Sequence, residues 1–265
     1  MPSKYENDWY GIMTGRFADK VALVTGASGV VGRAAALAYA REGAAVLVAG
    51  RDAARLAEVV KLIEDGGGKA SAFIVDVTSS ADVAAMVTAA VSRYGRLDVA
   101  LNAAGIFGKL APLADYDEDT WDDVLAVNLT GVYLSMKHEI AHMRAHGGGT
   151  IVNVASNMGA HWRLAGASAY AASKAAVSYL TRAAARDHIA DGVRVNAVSP
   201  GPIDSPMSTR PGETRAERDE RMKTGLPIGR VAAPEEIAAA ALWLSSPESS
   251  FVVGTDHVVD GGATA

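Results

Sequence analysis

Apolar, β-branched runs alternate with alanine-rich stretches of helical periodicity along this chain. The apolar runs predict strands at 21–24, 45–49, 72–75, 99–101, 150–154, 193–198 and 257–259. The stretches between them predict helices near 30–42, 52–65, 79–93, 117–146, 168–190 and 234–246. Strands that alternate with helices form right-handed βαβ units. We therefore expect one α/β domain over residues 18–265, a doubly wound parallel sheet of about seven strands with helices on both faces.

Two segments fall outside this alternation. Residues 1–17, with Trp9 and Tyr10, show no clear periodicity; we expect an N-terminal extension that is a mobile leader, the alternative being an arm packed on a neighbouring subunit. Residues 208–225, within an insertion near 205–226, are rich in Arg, Glu and Asp and are flanked by Pro206 and Pro227. Such an insertion is either a solvated loop or an active-site lid, and we favour the lid.

The composition narrows the function classes. The 265 residues are 49% hydrophobic and 21% charged, with a net charge of -5 and a pI near 5.7, which argues against nucleic-acid or anionic-membrane binding. The absence of cysteine excludes disulfides, thiolate metal sites and cysteine nucleophiles. We see no signal-peptide pattern and no apolar run long enough to span a bilayer, so we expect a cytoplasmic protein.

A glycine-rich turn links the first predicted strand to the first predicted helix. Glycines allow a tight turn and a close approach to a pyrophosphate, and the helix N-terminus presents free N–H groups to that anion. In this context the pattern predicts a dinucleotide cofactor. The turn residues expected to contact it are Gly26, Ser28, Gly29, Val30, Val31 and Gly32.

The end of the second predicted strand bears on the choice of cofactor. NAD sites usually place a carboxylate there, whereas this chain has Gly50 followed by Arg51, which is suited to pair with a 2′-phosphate. The alternative for Arg51 is a surface arginine at a helix start, and Asp52 next to it leaves NAD open. We favour NADP(H), with NAD as the alternative.

Tyr170 and Lys174 stand four residues apart in a predicted helix, so both side chains can point into one pocket. A neighbouring ammonium favours the phenolate, which lowers a tyrosine pKa from about 10 towards neutral pH, as general acid–base catalysis requires. A hydroxyl such as that of Ser156 can hydrogen-bond a substrate oxygen where charge changes. This set predicts proton transfer coupled to hydride transfer.

Taken together, these residues resemble the short-chain dehydrogenase/reductase family in its compact single-domain branch, from about residue 17 to residue 262. The resemblance implies a Rossmann-type fold, with Asn128, Ser156, Tyr170 and Lys174 as the catalytic residues. Besides the glycine-rich turn, Arg51, Tyr170 and Lys174, it implies that the cofactor contacts Asp76, Val77, Asn102, Ala103, Gly105, Pro200, Gly201, Ile203 and Ser205. The family pattern usually has glycine at position 30, where this chain has Val30 and carries the glycine one residue earlier.

The predicted substrate loop lies between Ser156 and Tyr170, which are fourteen residues apart, one more than in several relatives. By resemblance this loop lines the substrate pocket, and we expect Met158, Trp162 and Arg163 to contact substrate together with Ser156 and Tyr170. Arg163 suits an acidic substrate group, and its alternative is a solvated loop position. Trp162 either stacks on a ring or caps the core.

Three function classes remain open. The first is an NADP(H)-dependent reductase or dehydrogenase that interconverts a ketone and a secondary alcohol. The second is an NAD-dependent polyol, sugar or cyclic-alcohol dehydrogenase, and the third is a non-catalytic dinucleotide-binding scaffold, which the complete catalytic set argues against. The histidines at 138, 142 and 146 decorate a helix end, and we expect no metal. The family resemblance implies a homotetramer or homodimer acting on a small molecule.

Overall fold

A computed structural model describes residues 15–210 and 212–265. Residues 1–14 of the predicted extension, with Trp9 and Tyr10, lie outside that range. At its end the prediction of a mobile leader is wrong, because Phe17 is 2% exposed and its ring packs on Tyr39 with the centroids 5.0 Å apart. Seven strands form one parallel sheet in the order β3-β2-β1-β4-β5-β6-β7. The strands are β1 Val21–Thr25, β2 Ala45–Gly50, β3 Lys69–Ile74, β4 Val99–Asn102, β5 Gly149–Val154, β6 Val193–Pro200 and β7 Asp256–Val259. The predicted doubly wound sheet is confirmed. Strand β3 lies at its edge and is nowhere fully buried, and it begins three residues before its predicted apolar run because Lys69 and Ser71 are polar.

Nine α-helices are present in the described part of the chain. They are α1 Val30–Arg41, α2 Ala53–Asp65, α3 Ser80–Tyr94, α4 Glu118–Leu125, α5 Gly131–Ala145, α6 Asn157–Ala160, α7 Ser168–His188, α8 Arg215–Gly225 and α9 Pro234–Ser245. One π-helical turn, Ala126–Thr130, joins α4 to α5 inside the single helix predicted over 117–146. Within residues 15–210 and 212–265, no helix has the length and apolar character needed to cross a membrane.

The sheet separates two apolar layers because successive side chains of a strand point to opposite faces. Ala22 and Val24 of β1 join the layer under α1, α2 and α9. Leu23 between them joins the layer under α3, α5 and α7. All three side chains are fully buried, so both faces of the sheet are covered, as a parallel sheet requires.

The strand order reverses at β1, which pairs with β2 on one side and with β4 on the other. In open parallel sheets, ligands bind outside the carboxyl ends of the strands at such a reversal. The glycine-rich turn follows β1 at this point, and Gly105 follows β4 beside it. The topology therefore brings two segments that are distant in sequence to the edges of one crevice.

Helix α8 lies within the charged insertion, where the sequence predicted a loop or a lid without a helix. Its start is fixed by a capping box in which Thr214 and Glu217 exchange side-chain to backbone hydrogen bonds. The helix carries charged residues around most of its circumference, so it lacks the apolar stripe by which periodicity reveals a helix. Ion pairs hold it together with one buried apolar side chain, that of Met222.

Candidate active site

A cleft of about 580 Å³ opens at the carboxyl edge of the sheet, where the strand order reverses. Eight of the residues predicted to contact a cofactor line it, namely Gly26, Ser28, Gly29, Arg51, Asp76, Val77, Ala103 and Gly105. Seven further lining residues were not predicted: Gly50, Asp52, Arg55, Val75, Ala104, Ile106 and Val127. Most of these adjoin a predicted contact in the sequence. Arg55 is different, since it lies one helical turn into α2.

The glycine-rich turn is shaped by two close backbone approaches. Gly26 has a left-handed φ of +64°, and a Cβ there would lie 2.6 Å from the carbonyl oxygen of Ala103. A Cβ on Gly32 would lie 2.3 Å from the carbonyl oxygen of Gly26, so α1 packs directly on the turn. Both positions need glycine for steric reasons.

The start of α1 fits an anionic group of a dinucleotide. Gly29 is the N-cap and no side chain caps the helix, so the first N–H groups of α1 are free to bind an anion such as a pyrophosphate. The side chain of Val30 is 37% exposed and does not line the cleft. Val31 and Gly32 are buried beneath the turn.

Two arginines lie where the adenosine end of a dinucleotide would bind. Arg51 and Arg55 are exposed on the cleft wall, and neither forms an ion pair with another described residue. The carboxylate of Asp52 caps α2 by accepting the N–H of Arg55 at 3.1 Å, so it is committed to the helix. Hydrogen bonds from the N–H and hydroxyl of Thr78 hold the pKa of Asp76 below its usual value, and Arg51 contributes a smaller effect.

The predicted catalytic side chains meet next to this cleft. Tyr170 and Lys174 lie on one face of α7, with the Lys174 Nζ 5.9 Å from the centroid of the Tyr170 ring. Nζ donates to the carbonyl oxygen of Val154, at the end of β5, at 2.7 Å. Ser156 follows β5 as the N-cap of α6 and accepts the N–H of Met158 at 3.2 Å. The end of β5 and one face of α7 thus supply the site.

The pKa of Tyr170 differs from the sequence-based expectation. Burial raises it above the usual value, while the hydrogen bond with Ser156 acts in the opposite direction. Burial also lowers the pKa of Lys174 to about 8. The expected lowering by the ammonium is therefore outweighed, because desolvation disfavours the charged form of both groups.

Asn128 lies in the π-helical turn and is completely buried. Its Oδ1 accepts the N–H of Ile106 at 2.8 Å, and its Nδ2 donates to the carbonyl oxygen of Ile106 at 2.8 Å and to the hydroxyl of Ser173 at 3.1 Å. The side chain thus ties the loop after β4 to α7. A role for Asn128 in proton relay stays a prediction.

The side chain of Asn102 does not line the cleft, and contact between Asn102 and the cofactor stays a prediction. Its side chain is buried behind β4, where its Nδ2 donates to Glu139 and to Asn153, at 3.0 Å in each case. Asn153 in turn donates to the hydroxyl of Thr181 at 2.9 Å. This polar cluster links β4 and β5 to α5 and α7, so Asn102 acts on the site through the position of these elements.

The turn after β6 lies apart from the adenosine end of the cleft. Pro200 ends β6, and Gly201 packs so closely on Asp260 that a Cβ would lie 2.7 Å from its side chain. Ile203 pairs with Ala232. Ser205 opens a short 3₁₀ turn. None of these residues lines the cleft, and their contact with the nicotinamide end of a cofactor stays a prediction.

Asp204 in this turn anchors α8. It pairs with Arg215 and, at 2.9 Å, with Arg218. The Arg218 side chain is only 3% exposed and also pairs with Asp219 at 2.7 Å. A buried guanidinium with two carboxylate partners holds the insertion close to the turn. The role of the insertion as a lid stays a prediction.

The predicted substrate loop follows Ser156. Trp162 and Arg163 are exposed on it, and the N–H of Trp162 donates to the carbonyl oxygen of Asn157 at 2.6 Å. His161 donates through Nε2 to the buried carboxylate of Asp256 at 2.9 Å, which fixes the loop to β7. Contact between Met158, Trp162 or Arg163 and a substrate stays a prediction.

Phe107 is a site residue that sequence reasoning missed. Its ring centroid lies 4.8 Å from that of Tyr170, with the two planes inclined by 38°. The sequence signal that could have indicated it was its position two residues after Gly105. That loop follows β4, next to the reversal of strand order. That position alone does not distinguish a site residue from an ordinary loop aromatic.

Comparison with known proteins identifies the family. A family model described as enoyl-(acyl carrier protein) reductase matches residues 26–264. A cis-4-hydroxycyclohexanecarboxylate dehydrogenase from Sinomonas cyclohexanicum is 44% identical over 94% of this chain and 98% of its own length. A cyclohexanol dehydrogenase from an Acinetobacter species is 39% identical over 96% and 98% of the two chains.

Solved structures agree with this result. A short-chain type dehydrogenase/reductase from Mycobacterium marinum superposes with a TM-score of 0.86, at 35% identity over 96% of this chain and 98% of that one. The structure of a levodione reductase superposes with a TM-score of 0.89, at 34% identity over 94% and 98%. The fold, the glycine-rich turn and the order of motifs agree with these likenesses. The chain belongs to the short-chain dehydrogenase/reductase family of oxidoreductases.

Proposed function

We propose that this protein interconverts a ketone and a secondary alcohol, with NADP(H) as the favoured cofactor and Tyr170 as the general acid and base. The observation that carries the proposal is the meeting of Tyr170, Lys174 and Ser156 beside a cleft with a free helix N-terminus. A bound nicotinamide would supply or accept the hydride. The residues of the chain then have to bind the substrate oxygen and move one proton.

The proton moves through the hydroxyl of Tyr170. In reduction, this hydroxyl gives its proton to the carbonyl oxygen as negative charge develops there, and the hydroxyl of Ser156 donates a hydrogen bond to the same oxygen. Lys174, whose pKa is about 8, carries its positive charge at neutral pH and stabilises the phenolate that remains. In oxidation each step runs in reverse and the phenolate is the base.

The cofactor preference rests on the end of β2. Gly50 leaves no carboxylate to bind both ribose hydroxyls, and Asp52 is engaged in capping α2. Arg51 and Arg55 stand on the same wall of the cleft and suit a 2′-phosphate, because a guanidinium can donate two hydrogen bonds to it. The resulting anion site favours NADP(H) over NAD.

A second candidate is an NAD-dependent cyclic-alcohol dehydrogenase. The names of the two relatives, one acting on a hydroxycyclohexanecarboxylate and one on cyclohexanol, favour a ring alcohol as the substrate. The two candidates share the catalytic residues and differ in whether the site recognises a 2′-phosphate or a free hydroxyl on the adenosine ribose. Cofactor binding therefore separates them before any substrate is known.

The first test is a titration of the protein with NADPH and with NADH, followed by nicotinamide fluorescence. We expect tighter NADPH binding, and we expect Arg51→Ala to weaken NADPH by about tenfold while NADH changes little. Arg41→Ala, on the last turn of α1, is the matched control. Tighter NADH binding by the parent protein would select the second candidate.

The chemical assignment is tested separately with Tyr170→Phe. This variant should bind NADPH as the parent does and lose turnover by about a hundredfold or more, because only the proton-transferring hydroxyl is removed. Turnover near the parent level in Tyr170→Phe would refute the role of Tyr170.

A further inference from the structure

We propose that Phe107 is a positioning and specificity residue, which shields the phenol of Tyr170 from water and selects substrates with an apolar carbon skeleton over polyols. This inference rests on the proposed function and names its substrate class. Phe107 lies outside every motif used above. It is the aromatic side chain in contact with the ring of Tyr170.

The contact is close enough to order both rings. Centroids 4.8 Å apart and planes inclined by 38° fall within the range in which aromatic pairs attract beyond their buried area. Phe107 is itself half-buried, so its ring both contacts Tyr170 and keeps part of its surface open to solvent. That open surface is available to a substrate held by Tyr170.

The backbone beside Phe107 is fixed. The preceding residue, Ile106, is held on both its N–H and its carbonyl by the buried side chain of Asn128. Four residues after Phe107, the N–H of Ala111 donates to the carbonyl oxygen of Gly166 at 3.0 Å, which joins this loop to the substrate loop. Phe107 is therefore presented to Tyr170 from a segment tied down on both sides.

This placement has an electrostatic consequence for Tyr170. The charged group that faces the phenol is Lys174 from the same helix, while α6 and the loop after β4 contribute the uncharged Ser156 and Phe107. An apolar ring against the phenol removes water from it, which disfavours the phenolate. The raised pKa of Tyr170 agrees with this. Removal of the Phe107 ring should therefore lower the pH at which the base forms.

The same placement has a consequence for the substrate. If an oxygen is bound between Tyr170 and Ser156, the carbons next to it lie near the side chains around Tyr170, and Phe107 is one of these. A phenyl surface offers no hydrogen-bond partner, and a hydroxyl buried against it would lose its water without compensation. A saturated carbon group has no hydrogen bonds to water to lose there, and its burial against the ring is favourable. The geometry thus favours an apolar secondary alcohol or ketone.

The test compares the full-length parent with Phe107→Ala and Phe107→Leu on cyclohexanol, propan-2-ol and sorbitol. We expect the parent to prefer cyclohexanol to sorbitol. Phe107→Ala should lower kcat/KM for cyclohexanol by roughly tenfold, mainly through KM, and change it little for propan-2-ol, which is too small to reach the missing wall. Phe107→Leu, which keeps an apolar surface, should restore most of the loss. Phe73→Ala on β3 is the matched aromatic control.

Two further measurements separate positioning from a general structural defect. In Phe107→Ala, the rise of alcohol oxidation with pH should move to lower pH by about half a unit or more. NADPH affinity should stay unchanged, because Phe107 does not line the cofactor cleft. If the parent oxidises none of the three alcohols, the same shift is read from tyrosinate absorbance, taken as the difference between each protein and its Tyr170→Phe version.

The outcomes distinguish this inference from the proposed function. An inactive Tyr170→Phe together with a Phe107→Ala variant that keeps the parent's pH dependence and alcohol preference overturns the role of Phe107 alone. Preference of the parent for sorbitol also overturns it. Turnover that survives in Tyr170→Phe overturns the proposed function, whatever the Phe107 variants show.

Discussion

Glu139 offers a test of how burial acts on a charged group in this fold. It lies on α5 and is 0% exposed, with one oxygen accepting from Asn102 at 3.0 Å. Its other oxygen, Oε1, is buried without a hydrogen-bond partner, as is the Oδ1 of Asn102. A carboxylate in this position has lost its water and recovered one hydrogen bond. Replacing it by glutamine removes the charge and adds an N–H donor to a cluster in which the acceptor Oδ1 of Asn102 has no partner.

The magnitude follows from the pKa of Glu139, which burial raises from 4.5 to about 7. Each pKa unit corresponds to about 1.4 kcal/mol, so the shift amounts to about 3 kcal/mol. Between these two pKa values the folded protein holds a proton that the unfolded chain has released, and stability therefore falls as pH rises. The loss begins above pH 4.5 and is complete once the pH passes the folded pKa near 7. Glu139→Gln has no titratable carboxyl at this position, so it should not show this loss of stability.

The assay is urea unfolding followed by tryptophan fluorescence at about pH 5 and about pH 8, at one protein concentration. We expect Glu139→Gln to be more stable than the parent by about 3 kcal/mol at the higher pH, and by a much smaller margin at the lower pH. Glu58→Gln, an exposed glutamate on α2, should show no comparable pH dependence. A difference between Glu139→Gln and the parent that is the same at both pH values would refute the reasoning.

Two further predictions concern the turn and the lid. Gly26→Ala should abolish NADPH binding, because its Cβ would lie 2.6 Å from a backbone carbonyl, whereas Gly67→Ala, also at positive φ but with open space around it, should cost only about 1 kcal/mol of stability. Arg218→Met should speed hydrogen exchange in α8 strongly and Arg215→Met weakly, since both pair with Asp204 but only Arg218 is buried. Loss of NADPH binding in Gly67→Ala as well as in Gly26→Ala would contradict the contact geometry of the turn. Equal exchange rates in the two arginine variants would contradict that of α8.

The order and type of the main elements could be predicted because their patterns are local. An apolar run such as that of β1, which is buried along its whole length, stands out in any window of the sequence. The glycine-rich turn was also readable, because its steric requirement lies within a few residues. The cleft lining then follows, since parallel strands bring their carboxyl ends to one edge.

The features that sequence analysis missed depend on contacts between distant segments. The side chain of Asn102 donates to Glu139, 37 residues away, and its sequence motif gives no sign of that partner. The pairing of Phe107 with Tyr170 joins a loop to a helix more than sixty residues later. Helix α8 is held by ion pairs and a cap, so its sequence has no apolar period to read. Spacing along the chain carries no information about such contacts.

Glu139 and Lys174 show why a perturbed pKa does not by itself identify a catalytic group. Both side chains are almost completely buried, and burial moves the pKa of each towards neutrality, to about 7 for Glu139 and about 8 for Lys174. Lys174 faces the ring of Tyr170, whereas Glu139 contacts Asn102 behind β4. The same desolvation therefore acts on a lysine that the proposed mechanism uses and on a glutamate that lies outside it. What distinguishes them is the partner each side chain reaches, so contact geometry has to assign the role that the pKa only suggests.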